Sequence, residues 1–197
     1  MQYPLFISFK IVAFAPQMSL TDSAGNLLFY VRQKVFKLKE EIKVFNDLEQ
    51  TELAYAINAD RVIDFSAQYN FSDAAGNKLG GVKRQGVKSL LKARYDIFKN
   101  SHEMPEMNIE EENPLIRVAD GCLNQIPIVN FFTGYFLHPS YLVSSTASTQ
   151  PLIRLVKEPA FFEGKFKIEK LTEVDPDQEI QILLSLMMMT LLERARG

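Results

Sequence analysis

Polar and apolar residues alternate with a period of two along much of the chain, as expected of strands that bury one face and wet the other. In 34–45, Phe36, Leu38, Ile42 and Val44 point one way while Lys37, Lys39, Glu41 and Lys43 point the other. The stretch 87–98 does the same, with Val87, Leu91, Ala93, Tyr95 and Ile97 opposing Lys88, Lys92, Arg94 and Asp96. Further strands are expected at 53–57, 62–71, 141–145, 152–156 and 161–171. The opening run to Ala15 alternates between Pro4 and Pro16. It has no basic n-region and Lys10 breaks its apolar stretch, so it reads as a first strand rather than an export signal.

The C-terminal pattern is of another kind. Asp175 supplies an N-cap, Pro176 the first helical position, and Gln178 stands three residues after the cap. From Ile180 to Leu192 the apolar residues cover every side of a helix expected over 176–195, with Arg194 and Arg196 where the helix dipole favours cations. A helix that is apolar all round must be enclosed by protein or by lipid. Its strictly apolar part is shorter than a span of about 18 residues and contains Ser185 and Thr190. A β-barrel or strongly curled sheet closing around it satisfies both the strands and the rod.

One motif occurs twice. Asp22-Ser23-Ala24-Gly25-Asn26 returns as Asp73-Ala74-Ala75-Gly76-Asn77, and Leu28 and Val31 return as Leu79 and Val82. Each copy is expected to be a hairpin loop in which Asp bonds the turn backbone and Gly takes the left-handed conformation. A calcium loop needs oxygen ligands at alternate positions, where these copies carry Ala. Residues 101–140 break the regularity. An acidic run leads to Pro114, 115–123 could form a short helix, and an apolar stretch punctuated by Pro127 and Gly134 follows, so a partly helical insertion between strands is expected.

The segment from Ser19 through the first turn into Leu28-Phe29-Tyr30-Val31, the second copy from Phe71 leading to Val82-Lys83-Arg84, and the closing apolar helix together resemble the tubby C-terminal-like superfamily. This group comprises the tubby proteins, phospholipid scramblases and LURP-one-related proteins. The resemblance covers nearly the whole chain apart from the insertion. It implies one domain over 1–197, built as a closed antiparallel barrel of about twelve strands threaded by the C-terminal helix. It also implies a binding module: tubby domains bind phosphoinositides through a basic surface and scramblases act at membranes. The scramblase pattern's proline-rich N-terminal region, cysteine cluster and acidic calcium segment have no counterparts here, which argues against scramblase activity.

Composition narrows the chemistry. The 197 residues carry a net charge of −2, which gives no general pull toward nucleic acid, and one cysteine, Cys122, which fits a reducing, cytoplasmic setting. Gly80-Gly81 lacks the pattern of a phosphate loop, and there is no Gly-x-Ser-x-Gly elbow. His102 and His138 with Cys122 are too few for a zinc site, and a Cys122/His138 dyad is a weaker reading than a buried thiol and a loop histidine. Glu110 and Glu112 read as a solvated loop rather than an acid/base pair. No cofactor, metal or catalytic group is expected.

Two binding candidates are left. Lys37, Lys39, Lys43, Lys83, Arg84, Lys88, Lys92 and Arg94 could form a basic strand face for an anionic phospholipid, phosphoinositide or phosphate. The competing reading is that outward lysines merely keep strands wet and edges unpaired. Phe131, Phe132, Tyr135 and Phe136 could form an apolar lobe for a membrane or protein partner, or a lid over one barrel end. The function expected is a non-catalytic binding or scaffold module, cytoplasmic or peripheral at a membrane. The alternative is a protein-interaction or structural domain with no lipid role.

Overall fold

The computed structural model describes residues 1–10, 17–32, 41–61, 67–85, 93–99, 104–112, 139–148, 150–159 and 163–194. Twelve strands are found among them: β1 Leu5–Lys10, β2 Gln17–Thr21, β3 Leu27–Arg32, β4 Ile42–Phe45, β5 Leu53–Ala59, β6 Gln68–Asp73, β7 Lys78–Arg84, β8 Arg94–Phe98, β9 Met107–Glu111, β10 Ser140–Ser145, β11 Pro151–Glu158 and β12 Glu163–Lys170. One helix, α1 Pro176–Arg194, follows. Every strand pairs antiparallel with its neighbours in sequence, and β1 pairs with β12, so the sheet closes into an up-and-down barrel with no free edge.

The alternation dictates which side chains enter the barrel. Ile42 and Val44 are fully buried while Lys43 is exposed, and Tyr95 and Ile97 are fully buried between less buried neighbours. Leu5, Ile7 and Phe9 of β1 and Leu20 of β2 add to the same interior. The helix runs through it. Each residue from Gln181 to Leu191 is buried, and the backbone approaches β6, β7 and β8 most closely. Burial of a rod that is apolar on all sides removes the area from water that its sequence demands. Its buried polar side chains hydrogen-bond to backbone carbonyls of the helix and of β7. Ser185 Oγ donates to the Gln181 carbonyl, Thr190 Oγ1 to that of Met187, and Gln181 Nε2 to the Leu79 carbonyl of β7 at 2.6 Å. Asp175 Oδ1 accepts from the Asp177 amide and caps the helix start.

Both Asp-Gly-Asn motifs are turns. Asp22 Oδ1 accepts from the Ala24 and Asn26 amides and Oδ2 from Asn26 Nδ2, with Gly25 at φ 84°. Asp73 makes the same three bonds to Ala75 and Asn77, with Gly76 at φ 85°. The copies join β2 to β3 and β6 to β7, so the repeat marks equivalent hairpins four strands apart around the barrel.

The insertion expected over 101–140 needs correction at its start. Met107–Glu111 is strand β9, pairing with β8 and β10 and burying Met107, Ile109 and Glu111. Three consecutive glutamates hid a strand whose inward positions alternate correctly. Glu110 is accordingly a strand residue and not part of a loop, bound to Arg94 at 2.6 Å, while Glu112 beyond it binds Arg154 at 2.9 Å. Residues 113–138, with the expected short helix, lie outside the described residues.

Candidate functional site

The two mouths of the barrel differ. One is closed by the turns at Asp22–Asn26 and Asp73–Asn77, by the 46–52 turn in which Asp47 accepts from the Thr51 and Glu52 amides, and by the helix start. Its described residues are rich in acid: Asp22, Asp47, Asp73, Glu173, Asp175 and Asp177. Hydrogen bonds from Asn26 and Asn77 hold the Asp22 and Asp73 carboxyls below the usual carboxylate range. The opposite mouth is where β1, β3, β5, β7, β9 and β11 end and their successors begin, so the three longest connections, after β3, β7 and β9, join strands there. The C-terminal end of α1 emerges at this mouth. Rigid strands presenting longer connections at one end is where binding sites concentrate in such folds.

The inner lip of this mouth breaks the apolar rule. Val82 of β7, Ile109 of β9 and Leu155 of β11 are fully buried and face the helix. The next inward position on each strand is charged: Arg84, Glu111 and Lys157. Arg84 is 5% exposed and Glu111 1%. From the helix, Glu193 meets Arg84 at 3.6 Å and accepts a 2.6 Å hydrogen bond from the Tyr95 hydroxyl. Burial, and then the adjacent Glu193 carboxylate, push the Tyr95 hydroxyl far up, so it stays protonated and donates. Arg84 also lies over the Tyr95 ring, 5.9 Å from its centroid.

Beside this network is a cleft of about 270 Å³ lined by Phe9, Tyr141, Phe166, Met189, Thr190 and Gly164, with Lys157, Glu193 and Arg194 in its lining. Phe9 and Phe166 meet edge to face at 6.3 Å, and Arg194 covers Phe9 at 5.3 Å. Gly164, paired with Phe9 across β1 and β12, lines the cleft, and a Cβ there would touch the Phe9 side chain at ordinary contact distance. The walls are apolar, and the charged groups of the lining are Lys157, Arg194 and Glu193. Among the described residues no group of three or more His, Cys, Asp or Glu side chains is placed to hold a metal.

The basic residues singled out in the sequence are not one face. Arg84 is corrected outright: it is the inward neighbour of Lys83, and consecutive strand residues point to opposite sides. Arg94 is outward but bonded to Glu110, Lys43 lies 3.8 Å from Glu41, and Lys83 stands opposite Asp96. Lys37, Lys39, Lys88 and Lys92 lie outside the described residues, as do Phe131, Phe132, Tyr135, Phe136, Cys122, His102 and His138. The sequence reading missed Lys157, Arg194, Glu193 and the cleft. The signal was present in Ile153-x-Leu155-x-Lys157, where a cation occupies an inward position of an otherwise apolar series.

The LURP-one-related family model matches residues 27–121, from β3 past β9. A protein of Arabidopsis thaliana with a known X-ray structure shares the fold of the whole chain. It is 15% identical, with a TM-score of 0.54, and the match covers 98% of this chain and 92% of that one. Comparison with curated proteins gave no match. The matched segment contributes β7, β8 and β9 to the charged lip, while the cleft is built from β1, β10, β11, β12 and the helix end. The closed twelve-stranded barrel around a C-terminal helix is the tubby-like architecture that the resemblance implied. No helix among the described residues is long and apolar enough to cross a membrane.

Proposed function

We propose that this LURP-one-related barrel is a non-catalytic binding module that docks its loop-bearing mouth on an anionic phospholipid or phosphoinositide surface. The observation behind the reading is polarity: at one mouth cations stand beside carboxylates around an apolar cleft, and at the other the turns are carboxylate-rich. A negative surface attracts the first mouth and repels the second, so it orients the barrel as well as binding it. Lys43 and Lys83, near the ends of strands at this mouth, are outward cations that such a surface would meet.

Co-sedimentation tests this with vesicles of phosphatidylcholine alone or mixed with phosphatidylserine or a phosphoinositide. Binding is expected only to the anionic vesicles, and should weaken as salt is raised. The double change Lys43→Glu and Lys83→Glu is expected to lower it about thirtyfold or more, on the basis of about 1 kcal/mol per basic residue near the surface. Equal affinity for neutral vesicles, or none for either, would remove the lipid reading and leave the protein-interaction module.

A further inference from the structure

We infer that the cleft at the loop-bearing mouth is a ligand site for a single medium-chain carboxylate, taken tail-first against Phe9, Phe166 and Met189. This deepens the reading of that mouth as the binding end and rests on it. Three observations carry it. The walls are apolar and aromatic, and Gly164, which carries no side chain, lines the cleft beside the Phe9 ring. The volume of about 270 Å³ is just under the ~300 Å³ at which small-molecule pockets commonly begin. One unbranched chain is accommodated and a diacyl lipid is not.

The third observation is charge. Among the described residues the inward-facing charged groups of the lip are Arg84, Lys157 and Arg194 against Glu111 and Glu193, three cations to two carboxylates. Glu193 is already compensated by Arg84 and by the Tyr95 hydroxyl, so it does not ask for a cation. Among the described residues Lys157 forms no ion pair, although it lines the cleft. One net positive charge among the described residues above an apolar slot matches a monoanion with a hydrocarbon tail and disfavours a cationic amphiphile of the same length. The Thr190 hydroxyl is committed to the Met187 carbonyl as donor, and its oxygen can still accept.

The test uses the full chain and sub-micellar decanoate, with decyltrimethylammonium as the charge-reversed probe and acetate as the tail-less one. Affinity is followed by calorimetry and position by amide shifts. Decanoate is expected to bind with shifts at Phe9, Gly164, Phe166 and Thr190, while acetate and decyltrimethylammonium bind at least about fivefold more weakly. Lys157→Met is expected to cost decanoate about fivefold, in line with a half-exposed ion pair of about 1 kcal/mol, and to erase the preference over the cation. Gly164→Val, whose Cβ meets the Phe9 ring at 3.5–3.9 Å, an ordinary contact distance, fills the slot and should abolish decanoate binding with the barrel intact. Unchanged decanoate affinity in a folded Gly164→Val protein, shifts confined elsewhere, or equal affinity for the two decyl probes each overturn the inference. Vesicle sedimentation of Gly164→Val separates the two readings. Retained vesicle binding without decanoate binding in the parent protein sinks the cleft alone, and the reverse pattern sinks the surface.

Discussion

Gly76 and Gly80 are four residues apart on one hairpin, and the backbone needs each for a different reason. At Gly76 an added Cβ would meet nothing within 4 Å, so only its φ of 85° resists substitution. At Gly80, with φ 120°, the Cβ would overlap the Phe98 carbonyl oxygen on the paired strand β8. Gly76→Ala is therefore expected to cost about 1 kcal/mol, and Gly80→Ala more than about 4 kcal/mol because β7 and β8 must part. Chemical denaturation midpoints check both values, and equal losses would contradict this division. The first glycine was legible in the sequence, because a left-handed residue between Asp and Asn is local turn chemistry. The second was not, because the atom it avoids belongs to a residue eighteen positions on. The same distinction separates Asp73, whose three bonds lie within its own turn, from Arg84, whose partner Glu193 is more than a hundred residues away.

At the scale of elements, the helix was the clearest reading and the acidic strand β9 the poorest. Asp175-Pro176 marks a helix start whatever surrounds it, and an unbroken apolar circumference announces burial. The helix found, Pro176–Arg194, lies inside the bounds expected. Strand β9 has apolar residues at alternate positions over a short stretch, but its outward and terminal positions are Asn108, Glu110 and Glu111. Read locally they look like a solvated loop; only pairing with Arg94 on β8 makes Glu110 comfortable in a strand. For the helix, Met188→Leu should cost under about 1.5 kcal/mol and Met188→Ala about 2–5 kcal/mol. Met188→Lys should prevent folding, because Met188 is fully buried at the barrel axis and a charge there has no partner. Thermal denaturation of the three proteins reads this order; a folded, near-neutral Met188→Lys would mean that the helix lies on a surface.

At the scale of the molecule, barrel and helix are one cooperative object. The helix has no polar face with which to exist in water alone, and without it the inward residues of twelve strands would surround a void. Loss of the helical far-ultraviolet dichroism and the change in tyrosine fluorescence, sensitive to buried Tyr95, should therefore share one denaturant midpoint. A helical signal outlasting the tyrosine transition would show that the rod has another shelter. Closure also gives the molecule two distinct ends, because an up-and-down barrel sends alternate connections to opposite mouths. Here that sorting gathers the carboxylate turns at one end and the charged lip, cleft and longer connections at the other.

The sequence by itself determined the alternation that makes strands, the two Asp-Gly turns, and the apolar rod that obliges the sheet to curl around it. Each is a matter of neighbours within a few residues, and their physics is local. The tertiary structure decided which charges face inward, that Arg84 belongs to the helix end and not to an outer basic face, and that Phe9, Tyr141, Phe166 and Met189 share a cleft with Lys157. Those facts depend on register around a closed ring and on where the helix stops within it. No window of the chain contains them, because the contacting residues are separated by most of its length.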